Sequence, residues 1–249
     1  RGYPVGSFLF WRVDEDHSQA YKFFEFMQNF DAQDNKRLKP YEIPLPRTLT
    51  VVLDGQQRLT SLAIGLLGFR ADRVKGKWAK NSSAYPKKRL YLNLGAKYSG
   101  QEELDREYDF RFLTDEEAAV QSDTEHWLPL RKVLEFRDGA DVNTEKLMGY
   151  VTTHKLNGWG GGALAKLCNV LLKNPVVHYF REDEQSLDRV LNVFVRLNSG
   201  GIPLSYSDLL LSIASAQWTN DAREAIYGLL DDLNEYGDGF EFEDRKSVV

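Results

Sequence analysis

Four polar residues and one glycine, Asp-Gly-Gln-Gln-Arg at positions 54–58, separate two apolar segments of the chain and could take part in chemistry. Before them, residues 48–53 are β-branched or apolar, which is typical of a buried strand. After them, apolar residues recur at the spacing of a helix face packed on a core. These are Leu59, Leu62, Ala63, Leu66 and Leu67. The pattern predicts a strand that enters a helix through one sharp polar turn.

This predicted turn combines several features of an anion-binding site. Gly55 tolerates a positive φ, and Asp54 can accept hydrogen bonds from the first N–H groups of the helix. Those N–H groups also attract anions, helped by the positive end of the helix dipole. Arg58 adds a planar, permanently charged guanidinium that suits phosphate oxygens. The residues alone leave a second explanation open, in which Asp54 caps the helix and Arg58 pairs with a carboxylate elsewhere.

A second polar segment follows a helix predicted from the apolar spacing at Leu187, Val190, Leu191 and Phe194. Residues 194–201 read Phe-Val-Arg-Leu-Asn-Ser-Gly-Gly, so this segment carries Arg196 and Asn198. Residues 205–208 then have the spacing of a capping box for another helix at 209–214. As structure alone, the segment is equally compatible with an ordinary turn between two helices.

The two segments together resemble the signatures of a known family. An Asp-Gly-Gln-Gln-Arg (DGQQR) string between a strand and a helix, followed by Phe-x-Arg-x-Asn before a Ser-x-x-Asp-Leu helix, is similar to the ParB/sulfiredoxin-like N-terminal domain of GmrSD-type restriction endonucleases. These are type IV, modification-dependent enzymes. The resemblance implies binding and hydrolysis of a nucleoside triphosphate, GTP, ATP or CTP, with Mg²⁺. It also implies DNA, including modified DNA, as a partner and a nuclease on a C-terminal or separate domain.

The resemblance assigns functions to particular residues of this sequence. The catalytic residues would be Asp54, Gln56, Gln57 and Arg58, and Asp54 would also bind the metal ion. The nucleotide-binding residues would be Gly55, Arg58, Thr60, Arg196 and Asn198. Glutamine is a weak base, so Gln56 or Gln57 can only orient a water molecule or the ribose-phosphate edge.

Residues 70–89 are strongly basic and give an alternative function. Asp72 is the sole acid among eight lysine and arginine residues there, and Trp78 and Tyr85 are interleaved with them. Such a segment can contact a nucleic-acid backbone and stack on a base. In this alternative the chain is a non-catalytic DNA-sensing module that binds through Lys87, Lys88 and Arg89. A solvated loop whose lysines only maintain solubility is equally open at this point.

Composition limits the remaining possibilities. The chain has 249 residues, 42% hydrophobic and 28% charged, which is typical of a globular protein, and a net charge of −5. That charge argues against a protein that binds polyanions over its whole surface. We expect a cytoplasmic protein, because the single cysteine excludes an internal disulfide framework and no apolar run reaches the roughly 18 to 20 residues of a membrane span. We also expect the chain to be part of a longer protein.

The predicted fold is mixed α/β. Residues 1–135 would form a ParB/sulfiredoxin-like nucleotide-binding core with a small mixed sheet, and residues 136–249 a mostly helical part. Aromatic residues at helical spacing predict a helix over residues 20–30, and glycine-rich residues 158–163 predict a flexible loop before a helix that buries an inert Cys168. The histidine spacing suits no metal site, and a P-loop and a histidine-centred nuclease motif are both missing from the sequence.

Overall fold

The computed structural model describes residues 5–18, 21, 23–33, 48–78, 80–99, 107–120 and 122–198. Helices and short strands alternate along these residues, so the predicted mixed α/β class is confirmed. The strands are β1 (Ser7–Asp14), β2 (Phe30–Asp31), β3 (Thr48–Asp54), β4 (Arg70–Ala71), β5 (Arg89–Asn93), β6 (Phe110–Leu113), β7 (Trp127–Pro129), β8 (Arg137–Asp138), β9 (Asp141–Val142) and β10 (His178–Glu182). The α-helices are α1 (Glu15–Ser18), α2 (Gln56–Leu66), α3 (Asp115–Ala118), α4 (Thr144–Thr153), α5 (Gly158–Cys168) and α6 (Leu187–Asn198). Two 3₁₀ helices, Ser82–Ala84 and Leu130–Phe136, and a π-helical turn, Asn169–Lys173, complete the set.

The chain groups into two compact units. Among the described residues, the first unit holds 5–6, 25–33 and 58–178, and the second holds 7–24, 48–57 and 179–198. This grouping runs across the predicted boundary after residue 135, and that boundary stays a prediction.

The second unit is built on a three-stranded sheet in the order β10-β1-β3, with β1 and β3 antiparallel. Strand β1 is central because it is the most apolar of the three, and its alternating burial turns Trp11 and Val13 toward one face. Val190 of α6 packs against those two side chains and is itself 2% exposed. The apolar stripe of α6 therefore covers the sheet that contains β3.

The first unit is built on the sheet β6-β5-β7, in which both pairs of strands are antiparallel. Helix α5 packs on this sheet, and Leu92, Leu128 and Leu164 are each 0% exposed in the shared core. Cys168 lies in the same core, and burial raises the pKa of its thiol to about 11. The expectation that Cys168 belongs to the core is confirmed, and a buried thiol with a raised pKa is a poor nucleophile.

Two local predictions are wrong. Tyr21 and residues 23–33 form no helix: the Tyr21 ring packs edge-on against Trp11, with ring centroids 5.3 Å apart, and β2 pairs in parallel with β4. Residues 158–163 are not a loop, because α5 begins at Gly158 and the Asn157 side chain accepts a hydrogen bond from the Gly160 N–H. The helix predicted at 209–214 and its capping box lie outside the described residues.

Candidate functional site

The turn predicted at Gly55 has the expected backbone. Strand β3 ends at Asp54, Gly55 has a φ of +83°, and α2 begins at Gln56. In the ladder between β1 and β3, Leu9 lies opposite Asp54 but Phe10 lies opposite Val52, so the register shifts just before the turn. Such a shift bends a strand and redirects its side chains. The Asp54 side chain therefore does not follow the regular alternation of the other β3 side chains.

Gln56 and Gln57 begin helix α2, and both are exposed. The Gln56 side-chain amide donates a hydrogen bond to the Val52 carbonyl, at 2.9 Å. Gln56 therefore ties the first turn of the helix back to β3. Helix α2 has eleven residues, and its first turn contains no acidic residue.

Arg58 lies against the backbone of residues 5–6. Its Nη1 donates a hydrogen bond to the Val5 carbonyl, at 3.0 Å. Gly6 has a φ of +91°, and a Cβ built on it would overlap the Arg58 guanidinium. Gly6 is thus required both by its backbone conformation and by the close approach of Arg58. The sequence analysis missed Gly6, because its contact spans more than fifty residues of chain.

Arg196 and Asn198 lie in the last turn of α6, and Arg196 is exposed. Helix α6 packs through Val190 on β1, and β1 pairs with β3, which ends at Asp54. The two sequence signatures, although far apart along the chain, therefore belong to elements of one sheet. Arg196 and Asn198 are therefore carried by a helix that packs on the same sheet whose strand β3 leads into residues 54–57.

Lys87, Lys88 and Arg89 belong to the first unit and are engaged with neighbouring groups. The Arg89 guanidinium pairs with Asp115 at 2.7 Å and, together with a hydrogen bond from Tyr91, holds the pKa of that carboxyl below its usual range. Lys88 pairs with Glu117 at 3.1 Å. The Lys87 ammonium lies 4.8 Å from the centroid of the Phe69 ring. The acids of α3 therefore neutralise much of the charge at this end of the basic segment.

Comparison with known proteins gives the family. Residues 1–215 match the model of the GmrSD restriction endonuclease N-terminal domain. The chain belongs to this family. A search of the curated proteins found no match. Membership places the chain in a DNA restriction system and hence in phage defence.

The GmrSD N-terminal domain described here has a second cluster of titratable groups, which the sequence analysis did not identify. A groove of about 260 Å³ lies between the 3₁₀ helix Leu130–Phe136 and α4, and Tyr150 and His154 are among its lining residues. His126, which is 8% exposed, contacts the Tyr150 hydroxyl at 3.1 Å through Nε2.

Within the described residues, no group of three or more histidine, cysteine, aspartate or glutamate side chains is arranged to hold a metal ion. None of the described helices is both long and apolar enough to cross a bilayer.

Proposed function

We propose that this GmrSD N-terminal domain binds and hydrolyses a nucleoside triphosphate and so regulates a modification-dependent restriction protein. The observation that carries the proposal is the Gly55 turn, which places Arg58 in the first turn of a helix that directly follows a strand. Helix N-termini of this kind bind phosphate groups through backbone N–H donors and the helix dipole. The nucleotide is GTP, ATP or CTP.

In this proposal the first N–H groups of α2 and the Arg58 guanidinium hold phosphate oxygens. Gly55 in the turn and Thr60 within α2 are also assigned to the nucleotide. The hydrogen bond from Arg58 Nη1 to the Val5 carbonyl helps to orient the guanidinium. Gln56 or Gln57 would orient the attacking water, and the Gln56 amide also donates a hydrogen bond to the Val52 carbonyl. A glutamine in such a site positions a water molecule and does not deprotonate it.

Asp54 is the residue assigned to Mg²⁺. A single carboxylate beside a phosphate-binding turn suits this ion, which is usually held by one or two carboxylates together with substrate phosphates and water. The ion would supply charge stabilisation to the phosphate groups.

Arg196 and Asn198 are proposed to contribute from the end of α6. The observation that supports this assignment is the packing of α6 on the sheet that contains β3. Arg196 would add a second permanent positive charge for phosphate oxygens, and Asn198 an amide for the sugar or the base.

The test is calorimetric titration of ATP, GTP and CTP, with and without Mg²⁺, into the wild type and Arg58→Ala. We expect micromolar binding of one nucleotide and a loss of roughly 10- to 100-fold in Arg58→Ala, because a hydrogen bond to a charged group contributes about 1.5 to 3 kcal/mol. Arg70→Ala is the matched control, since it removes one exposed arginine that pairs with Asp72. Equal affinity in Arg58→Ala, or no binding by folded wild type, would contradict the phosphate site.

Hydrolysis has its own test. Phosphate release with Mg²⁺ should fall in Asp54→Asn and Gln57→Ala, and nucleotide binding by Gln57→Ala should be retained. No phosphate release by wild-type protein that binds the nucleotide would limit the function to binding.

A second candidate function, a non-catalytic DNA-sensing module using residues 70–89, is favoured by the exposed tip of that segment, where Trp78 is 87% exposed among lysines. Steep salt dependence of DNA binding that is lost in Lys87→Ala/Lys88→Ala/Arg89→Ala and kept in Arg58→Ala would support it. In both functions the nuclease that cuts DNA lies on a domain outside this sequence, and the DNA substrate is modified.

A further inference from the structure

Trp78 is the most exposed of the described tryptophans. It lies at the tip of residues 72–78 and 80–88, which we call the Trp78 loop, and is 87% exposed, whereas Trp11 and Trp127 are 4% and 6% exposed. Tryptophan is highly buried on average in folded proteins, because its large apolar surface is costly to leave in water. A free-standing indole at a loop tip is therefore an unusual feature of this surface.

The backbone of the Trp78 loop is held by its own hydrogen bonds. The Val74 N–H donates to the Ala84 carbonyl at 2.8 Å, and the Asn81 N–H donates to the Trp78 carbonyl at 3.0 Å. Ala84 is completely buried, and the Lys77 ammonium donates to the Ser83 carbonyl at 3.1 Å. The loop thus has a defined internal structure that keeps Trp78 away from the core.

Charge is distributed unevenly along this loop. At its base the cations are neutralised by acids, in the pairs Arg70 with Asp72, Lys88 with Glu117 and Arg89 with Asp115. Around Trp78 the cations are exposed and form no salt bridge within the described part of the chain; they are Arg73, Lys75, Lys77 and Lys80. The positive potential of the loop is therefore concentrated at its tip, beside the exposed indole.

This combination fits one kind of ligand. Lysine and arginine contact phosphates of any nucleic acid, but an indole can stack only on a base whose face is uncovered. In a continuous duplex the base faces are occupied by neighbouring base pairs. We propose that the Trp78 loop binds single-stranded DNA, with Trp78 stacked on an unpaired base and Arg73, Lys75 and Lys80 on the phosphates. The proposal rests on the place of this domain in a DNA restriction protein.

The assignment differs from the sequence-based choice of Lys87, Lys88 and Arg89. Two of those three side chains are committed to acids of α3, and releasing them would leave Asp115 and Glu117 without their partners. Binding of Lys75 and Lys80 to phosphates would break no salt bridge of the described residues. The tip, not the base, is therefore the DNA-binding part of the basic segment in this proposal.

The first experiment measures binding of labelled oligodeoxythymidine and of a blunt duplex to the whole chain by fluorescence anisotropy. We expect preference for the single strand and about tenfold weaker binding in Trp78→Ala, since one base stacked on an aromatic side chain contributes about 1 to 3 kcal/mol. Trp78→Phe should keep most of the affinity, because it keeps an aromatic face. The single strand should also quench tryptophan fluorescence, and that quenching should fall in Trp78→Phe.

The second experiment separates the tip from the base. Lys75→Gln/Lys80→Gln should lower the dependence of log affinity on log salt by about 1.4, at ~0.7 per phosphate contact on a single strand. Lys146→Gln/Lys155→Gln removes the same charge from exposed positions elsewhere in this unit and should change the slope little. Lys88→Gln/Arg89→Gln should likewise leave the slope near that of the wild type.

Several outcomes would overturn the proposal. These are equal affinity of Trp78→Ala and wild type for the single strand, tighter binding of the duplex, or a slope that depends on Lys88 and Arg89. A fourth is binding of Trp78-containing protein to anionic phospholipid vesicles, lost in Trp78→Ala, with no binding of DNA. Two cross-tests distinguish this proposal from the proposed nucleotide site. Trp78→Ala should bind the nucleotide like the wild type, and Arg58→Ala should bind the single strand like the wild type.

Discussion

His126 is a buried histidine held between polar neighbours. Its backbone N–H donates to the Asn93 side chain at 3.0 Å, and its Nε2 contacts the Tyr150 hydroxyl. Burial lowers the pKa of His126, and the nearby His154 lowers it further, with ring centroids 5.1 Å apart. Burial also raises the pKa of Tyr150 to about 12. Both side chains are therefore neutral in the folded protein near pH 7, and their contact is a hydrogen bond between neutral groups.

A pH dependence of stability follows from His126. The unfolded chain takes up a proton as the pH falls through about 6.5, while the folded protein takes it up only at lower pH. The free energy of unfolding should therefore decrease from about pH 7.5 to about pH 5.5, by at most ~1.4 kcal/mol per pH unit for this one proton. The pKa values of the Asp115 and Glu117 carboxyls are lowered, so their protonation decreases the free energy of unfolding only below about pH 4.5.

Urea denaturation at several pH values measures this dependence. His126→Gln should flatten the slope between about pH 7.5 and about 5.5. An unchanged slope in His126→Gln would show that another group controls stability in this range.

Helix α5 lies so close to the chain just after β5 that there is no space for a Cβ at the point of contact. Asn157 caps the helix and also donates from its side-chain amide to the Gly95 carbonyl, at 2.9 Å. Gly160 lies against the Leu94 carbonyl, so a Cβ there would overlap it. This approach brings Leu164 into the core beside Leu92. Gly160 therefore allows the close packing of α5 against the chain at Leu94.

Two glycines of the same helix give a matched pair of substitutions. Gly160→Ala should lower the free energy of unfolding by about 2 kcal/mol, because the backbone of β5 must shift. Gly162→Ala has open space around it and should raise that free energy by up to ~1 kcal/mol, since alanine favours the helix. Chemical denaturation of both variants measures the two effects, and effects of the same sign would contradict the packing described for α5.

The whole molecule consists of two units with separate cores, yet the family domain extends over both. One core contains Leu92, Leu128 and Leu164, and the other contains Trp11, Val13 and Val190. The family match over residues 1–215 includes the described parts of each unit. The signature segment itself contributes residues 54–57 to one unit and Arg58 to the other.

Nucleotide binding should raise the melting temperature of this domain. A ligand that binds only the folded state stabilises it by about 2.7 kcal/mol at a concentration 100 times its Kd, or roughly 5 to 10 °C for a domain of this size. Differential scanning fluorimetry with the nucleotide and Mg²⁺ measures the shift. Arg58→Ala should show a much smaller shift at that concentration, and the nucleoside without phosphates should give almost none. Equal shifts with the nucleoside would mean that the phosphates contribute nothing.

Local patterns of the sequence determined the elements that carry the signature. Strand β3, the Gly55 turn and helix α2 follow from a β-branched run, a glycine that accepts a positive φ, and leucines at helical spacing. Helix α6 was predicted on the same basis, from apolar residues at helical spacing. These properties depend on residues close together in the chain, and the family resemblance rested on them as well.

Only the tertiary structure decided how the functional side chains are used. The contact of Arg58 with Val5 and Gly6 and the pairing of Arg89 with Asp115 each join distant parts of the chain. Such contacts depend on how the elements pack, and no local spacing encodes them. Packing also overrode local preference, because residues 23–33 lie outside any helix and the glycine-rich start of α5 is helical against β5. The sequence alone therefore determined which residues could bind phosphate or DNA, and the structure determined which of them are already engaged within the protein.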